Sequence, residues 1–176
     1  IVIFIIIIFA ISFKNVLANC DFKHFEYLDE LNDPSSLKSI SIDVNKKRKF
    51  YKNFSRIIVS KSQNIPLELK KNFKANITVN YKFGQCRYKA NIRQLGDWKD
   101  HIKVVNGQPQ RSLKVNLKEG NILNAVKFKL FIPETRESYN EILGGIILRK
   151  FGFLVPETLE VNLILNNSIF KMIFQE

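Results

Sequence analysis

The segment KANITVNYKFGQCRYKANIRQL, residues 74–95, decides the fold predicted for this chain. Apolar residues occupy every second position from 75 to 83 and alternate with polar residues, which is the pattern of a β-strand with one buried face. A second alternating stretch follows Gly84-Gln85. Because a two-residue loop that begins with glycine suits a type II′ turn, the segment is predicted to form a β-hairpin.

The predicted hairpin separates apolar side chains from cationic ones. Its inner face would pair Phe83 with Cys86, Tyr81 with Tyr88, Val79 with Ala90, and Ile77 with Ile92. Its outer face would place Lys82 directly opposite Arg87. Like charges in that position cost stability unless solvent or an anion lies between them. The outer face is therefore a candidate surface for binding anions.

The composition describes a cationic chain of single-domain size. It has 176 residues, with 28 Lys and Arg against 16 Asp and Glu, and a formal net charge of +12. Such a surplus favours acidic partners, which include phosphates, anionic glycans, acidic protein segments and membrane surfaces. An alternative source of the basicity is codon composition, since Ile, Lys, Asn and Phe are abundant and have A+T-rich codons.

The apolar run at residues 1–13 predicts export. It is shorter than the ~20 residues that a membrane-spanning helix needs, but it has the length of a signal-peptide core. Val16 and Ala18 fit a cleavage site, so residues 1–18 are predicted to be a signal peptide and residues 19–176 the mature domain. Since residue 1 is not Met, we expect this signal peptide to be truncated. The alternative is that this segment stays uncleaved and anchors the protein to a membrane, which is the one membrane attachment that the sequence predicts.

The two cysteines, Cys20 and Cys86, are predicted to form a disulfide. An even number of cysteines in an oxidising compartment, either the periplasm or the cell exterior, is typical of a structural cross-link. The alternative is a catalytic thiol, which would need a nearby base. The sequence around neither cysteine offers one, so the disulfide is favoured.

Two further stretches, residues 112–117 and 126–132, alternate in the same way and are predicted to join the hairpin in one antiparallel sheet. The outer surface of that sheet would be a continuous basic face. The basic face consists of Lys82, Arg87, Lys89, Arg93, Lys114, Lys127 and Lys129. Besides anion binding, an alternative role for these cations is to prevent edge-to-edge pairing with other sheets.

Two helices and a closing hairpin complete the predicted elements. Apolar residues at helical spacing begin at Tyr139, after a capping-box pattern, and end before Gly152. Gly144-Gly145 suggests that this helix lies close to the inner face of the sheet. An earlier helix follows Asn45, and its basic start is either an anion-docking patch or a solvated run of charges. Asn166-Asn167 predicts a tight turn between two strands. The predicted fold class is therefore α+β, an antiparallel sheet with helices packed on one face.

A polar loop holds Asp97, Asp100 and His101, which could form a metal or acid/base cluster. Nothing beyond their proximity in the sequence supports that hypothesis. The alternative is that these side chains are solvated or bond to their own turn, as is usual for short polar loops.

Several short motifs follow one another in the second half of the chain. They are Arg93-Gln94-Leu95-Gly96, Arg111-Ser112-Leu113-Lys114-Val115, Arg136 at a helix start, Gly152, Pro156, and a turn with Asn166 before Glu176. Their order resembles the N-terminal half of the CotH-like secreted kinase family, first known from spore-coat proteins. The resemblance covers roughly the second half of the mature chain.

That resemblance implies the N-terminal lobe of an atypical protein kinase, which uses ATP with Mg²⁺ or Mn²⁺ to phosphorylate secreted proteins. It implies that Arg93, Lys114 and Arg111 contact nucleotide phosphates, and that Glu176 pairs with a cation or lies near the nucleotide. The metal-binding and base carboxylates of the family lie further along than Glu176. Residues 19–176 are therefore expected to be an α+β module that is incomplete at its C-terminus and inactive alone.

The alternative function is a non-catalytic periplasmic or surface module that binds an anionic glycan or protein through the basic face. A nucleic-acid partner is disfavoured, because Tyr81, Phe83, Tyr88 and Phe128 are predicted to point inward. A stacking platform for bases needs aromatic rings interleaved with cations. Export also counts against nucleic acid.

Overall fold

A computed structural model of the chain describes residues 20–22 and 30–176. The predicted signal peptide and its cleavage site lie outside the described residues. The described part contains ten strands and two α-helices, α1 (Lys47–Val59) and α2 (Tyr139–Lys150). The strands are β1 (Cys20–Phe22), β2 (Leu37–Val44), β3 (Phe73–Tyr81), β4 (Gly84–Gln94), β5 (Ile102–Val105), β6 (Gln108–Arg111), β7 (Leu113–Leu117), β8 (Lys127–Phe131), β9 (Thr158–Leu165) and β10 (Ser168–Gln175).

Seven of these strands close into a barrel. Their order is β4-β3-β2-β9-β10-β8-β7, and β7 pairs back onto β4 to complete the ring. All neighbours in the ring are antiparallel except β2 and β9, which run parallel. β1 pairs with β4 beyond the part that β7 covers, and β5 and β6 form a separate hairpin.

The predicted α+β fold class, a sheet with helices packed on one face like a kinase lobe, is therefore wrong. The apolar face of the sheet is covered by the sheet itself because the ring of strands closes around it, and inside it the rings of Phe128 and Phe174, on the paired strands β8 and β10, stack at 4.7 Å. Strand residues such as Ile40, Ile77 and Leu113 are completely buried there. Alternation predicts that one face is covered, but it does not distinguish a covering helix from a closed barrel.

The helix predicted near residue 139 is present as α2, but its predicted packing is wrong. No residue of α2 is buried, and a Cβ atom added at Gly144 or Gly145 would meet nothing within 4 Å. The two glycines therefore do not mark a place where α2 comes close to the sheet. Because the strands of the barrel enclose the apolar inner face of the sheet, that face is not available to α2.

The earlier helix, α1, lies across the end of the barrel at which β3 begins. Phe50 on α1 is 1% exposed, and its ring contacts that of Phe73 at a centroid distance of 5.2 Å. Phe54 and Ile57, one and two turns further along, pack in a smaller cluster with Ile65 and Ile102. This apolar stripe leaves the cations of α1 on its outer side.

The central hairpin forms, but in a different register from the predicted one. Val79 pairs with Cys86 instead of Ala90, and the last paired residues, Asn80 and Gln85, enclose the four-residue loop 81–84. The predicted type II′ turn does not form, because it requires positive φ at Gly84 and the φ of Gly84 is not positive. Because the register shifts by an even number of residues, each side chain still points to its predicted face.

The other predicted turn and the predicted disulfide are confirmed. Asn166 and Asn167 both have positive φ, as the two central residues of a type I′ turn do, and they connect β9 to β10. Cys20 and Cys86 form a disulfide that joins β1 to β4. The N-terminal strand is thus covalently attached to the barrel wall.

Replacing both cysteines by serine should lower the free energy of unfolding. The disulfide spans 66 residues, and in the chain-entropy model a loop of that length contributes about 4 kcal/mol. Urea denaturation of Cys20→Ser/Cys86→Ser should therefore show a clearly lower midpoint, and the wild type in excess reductant should match the variant. An unchanged midpoint would contradict this role.

Candidate anion-binding site

Three cations lie side by side on the outer surface of the barrel. Arg93 on β4 pairs with Lys114 on β7, and Lys114 pairs with Lys129 on β8. Directly opposed residues on neighbouring strands have Cβ atoms about 5 Å apart, so these three charges form a compact cationic row. They point outward because their neighbours Ile92, Val115 and Leu130 point into the barrel.

The cationic row has no counter-charge in the structure. No member of the row forms an ion pair with a carboxylate within residues 20–22 and 30–176. All three side chains are half-buried, whereas Lys82, Arg87, Lys89 and Lys127 of the basic face are exposed. Partial burial weakens solvent screening, so the mutual repulsion is felt more strongly in the row.

A pocket of about 420 Å³ opens beside the row. Arg93 and Lys129 line it, and we call it the Arg93 pocket. Its remaining lining residues are Lys70, Gln94, Leu95, Gly96, Asp97, Trp98, His101, Phe131 and Arg136. Asp97 is the one carboxylate in this lining, and the hydrogen bond from Lys70 lowers the pKa of Asp97. Arg93, Lys129 and Arg136 therefore leave the pocket with a surplus of positive charge.

Arg136 lines the pocket and has a side-chain donor without a hydrogen-bond partner among the described residues. Its guanidinium lies over the ring of Phe131, 4.0 Å from the centroid, which fixes the group in place. The Nε atom is buried and has no hydrogen-bond partner among the described residues. A buried donor without an acceptor costs free energy, so an anion that accepts from Nε would relieve that cost.

His101 is held rigidly against the loop that precedes it. A Cβ atom at Gly96, where φ is +86°, would lie 1.9 Å from Cδ2 of His101, so only glycine leaves room for the ring. The Nδ1 atom lies 3.0 Å from Oγ of Ser112, which also accepts a hydrogen bond from the backbone N–H of Ile132. Burial lowers the pKa of His101, and the nearby charge of Arg136 lowers it further, although Asp100 opposes the shift. The ring is therefore neutral at neutral pH.

The hypothesis of a metal cluster in this loop gains no support from the geometry. Asp97 is paired with Lys70, and Oδ1 of Asp100 lies 4.0 Å from Nε2 of His101. The described ranges contain no group of three or more His, Cys, Asp or Glu side chains that could hold a metal ion. The binding of ATP with a divalent metal stays a prediction.

The other predicted phosphate contacts lie elsewhere. Arg111 is 1% exposed and lies inside the molecule, where its Nε donates to Oε1 of Gln94 at 2.6 Å. Glu176 is exposed, its backbone N–H donates to the carbonyl of Glu157, and it does not line the Arg93 pocket. Of the residues that the family resemblance implied, the structure brings together Arg93 and Lys114, with Lys129 of the basic face beside them.

Sequence analysis did not identify Lys70, Trp98 or Arg136 as parts of this site. They come from three separate connections, and the chain has no local pattern that brings such segments together. Arg136 was noted only as the start of a helix. The one usable signal was Trp98, since a tryptophan in a polar loop often marks a contact surface, and it is 63% exposed.

Comparisons with known proteins leave the family open. No protein-family model matches the chain, and no curated protein matches it either. The resemblance to CotH-like kinases therefore stays a prediction. In the described part of the chain, no helix is long and apolar enough to cross a membrane.

Gly96→Ala should destabilise the protein strongly. The added Cβ would collide with His101 and would also strain the backbone, because φ is +86°. We expect a loss of about 2 to 4 kcal/mol in the free energy of unfolding. Gly107→Ala is the matched control, since φ there is +75° but nothing lies within 4 Å, and it should cost only about 1 kcal/mol. Equal losses in chemical denaturation would contradict the contact.

His101 should also make stability fall in mild acid. Unfolded His101 takes up a proton as the pH falls below about 6.5, while the folded residue, whose pKa is lowered, stays neutral until lower pH. The unfolded state then binds more protons, so the free energy of unfolding decreases from pH 6.5 downward. His101→Gln should have a shallower slope over that range. An identical slope in the two proteins would exclude His101 as the cause.

Proposed function

We propose that this protein is a non-catalytic binding module that holds anionic groups, namely phosphate, sulfate or carboxylate, in the Arg93 pocket. One observation carries the proposal: Arg93, Lys114 and Lys129 are directly opposed on three neighbouring strands, and none of them forms an ion pair with a carboxylate of the described residues. Such an arrangement is unfavourable by itself. An anion placed against the row would attract its cations and so offset the repulsion across its two pairs, Arg93 with Lys114 and Lys114 with Lys129.

The chemistry of the pocket suits an oxyanion. Arginine offers a planar fork of donors that matches two oxygens at once, and both Arg93 and Arg136 line the pocket. Lys129 adds a compact positive charge. When Ser112 donates to Nδ1 of His101, the Nε2 atom carries the proton and becomes a further donor. The pocket would therefore bind through hydrogen bonds as well as charge.

A binding module suits this architecture better than the lobe of a kinase. The kinase hypothesis assumed an α+β lobe, and that fold class is wrong. In the Arg93 pocket, the lining groups are cations, a neutral imidazole and one carboxylate that Lys70 already neutralises. These groups favour holding an anion. The disulfide supports the accompanying proposal that the protein works outside the reducing cytosol, in the periplasm or at the cell exterior.

Tryptophan fluorescence offers a direct test, because Trp98 is the one tryptophan in the sequence and it lines the pocket. Titration with sulfate or phosphate, at constant ionic strength set by sodium chloride, should give a saturable change in emission. Arg93→Gln/Lys129→Gln should weaken binding about tenfold or more, since each lost charged hydrogen bond is worth roughly 1.5 to 3 kcal/mol.

The matched control is Lys38→Gln/Lys150→Gln, which removes two exposed cations outside the pocket. It should change the affinity less than twofold. In parallel, NMR titration should show that phosphate raises the pKa of His101, since a nearby anion stabilises the imidazolium. A linear fluorescence response, or equal losses in both double variants, would refute the proposal.

A further inference from the structure

A second cationic site lies between α1 and the start of β3. It is a groove of about 630 Å³, which we call the α1 groove. Six cations line it, namely Lys46, Lys49, Lys52, Arg56, Lys71 and Lys74. Its other lining residues are Asn45, Asn53, Asn72 and Phe73, so no carboxylate contributes to the lining. None of the six cations forms an ion pair within the described ranges 20–22 and 30–176.

A buried charge lies directly behind this groove. The Nη2 atom of Arg111 donates to Oδ1 of Asn53 at 3.1 Å, and Asn53 lines the groove. Nη1 of Arg111 has no hydrogen-bond partner among the described residues. Burial lowers the pKa of Arg111 to about 9, so the side chain is still protonated at neutral pH. With no carboxylate to neutralise it in that part of the chain, Arg111 adds to the positive potential of the groove.

The α1 groove and the Arg93 pocket are neighbouring sites that share no lining residue. Lys70 lines the pocket, and the next residue, Lys71, lines the groove. At the start of β3, Lys74 pairs with Asn91 on β4, two residues before Arg93. Neighbouring strands are about 4.8 Å apart, so the path from β8 across β7 and β4 to β3 covers roughly 15 Å. A helix adds about 10 Å. A single phosphate or sulfate cannot span that distance.

We infer that the ligand is a linear anionic polysaccharide that lies along the cationic row and continues into the α1 groove. This inference rests on the proposed function, because it assumes that the Arg93 pocket binds anions. Repeated charges along a thin chain match two neighbouring cationic sites. A folded acidic protein has a convex surface, which would not reach the bottom of the Arg93 pocket or of the α1 groove.

The aromatic residues favour a polysaccharide over a nucleic acid. Single-stranded nucleic acids are held on stacking rings that meet successive bases. Trp98 is the one exposed ring in the lining of either site, since Phe131 is buried and Phe73 is half-buried against Phe50. One ring can contact one residue of a chain. The disulfide is typical of oxidising compartments, and the proposed location outside the cytosol is where such polysaccharides occur.

Fluorescence anisotropy with labelled heparin fragments tests the inference. A dodecasaccharide should bind at least tenfold more tightly than a disaccharide, because only the longer chain reaches both sites. Lys49→Gln/Lys52→Gln, in the groove, should weaken dodecasaccharide binding about fivefold or more and leave disaccharide binding unchanged. It should also reduce the slope of log affinity against log salt by about 1 to 2, since fewer counterions are released. Arg93→Gln/Lys129→Gln should weaken both ligands.

The outcomes separate this inference from the proposed function. If the dodecasaccharide binds no more tightly than the disaccharide and the groove variant has no effect, the extended ligand is refuted while the anion pocket stands. If Arg93→Gln/Lys129→Gln leaves every affinity unchanged, both fail. If oligo(dT) of equal formal charge binds as tightly as the dodecasaccharide, the assignment to polysaccharides is wrong. Lys38→Gln/Lys150→Gln again serves as the control and should behave as the wild type.

Discussion

The pairing of β4 with β7 is the contact on which the rest of the molecule depends. It turns an open sheet into a ring, so that the apolar inner faces of the strands cover one another and α1 is needed only at one end of the barrel. The same pairing sets Arg93 beside Lys114. Without closure, these two residues would lie on opposite edges of an open sheet, and the repulsion that makes the cationic row a site would not arise.

Buried Arg111 shows how the interior supports that surface. Its guanidinium bonds to Gln94 at the end of β4 and to Asn53 on α1, and it lies over the ring of Phe50 at 4.6 Å. One side chain thereby joins the barrel to the helix that covers its end. Its charge is desolvated without a matching carboxylate in the described residues, which is a cost that the apolar core must offset. The buried charge of Arg111 thus lowers the stability of the fold and raises the positive potential at one end of the barrel.

The sequence predicted local structure well and its assembly poorly. Strict alternation identified β3, β4, β7 and β8 and the direction of their side chains, so it placed Arg93, Lys114 and Lys129 outward before any pairing was known, whereas it did not identify β1, β5 or β6. Alternation depends only on whether a face is covered. Closure of the barrel, in contrast, depends on residues far apart in the sequence. Because closure was not predicted, α2 was wrongly expected to pack on the inner face of the sheet, which the barrel does not expose. The Arg93 pocket escaped prediction because Lys70, Trp98 and Arg136 lie on separate connections whose positions follow from closure.

The parallel junction between β2 and β9 also bears on how the chain reaches this structure. Ile40 on β2 pairs with Leu163 on β9, and more than half of the polypeptide lies between these two residues. The pairing therefore cannot form until that part of the chain has been synthesised. During synthesis, β2 keeps one edge unpaired until the last hairpin emerges, and such an edge can recruit another chain. Distant pairings of this kind also slow folding. A chaperone that binds the emerging chain early would therefore protect the unpaired edge of β2 until β9 is available.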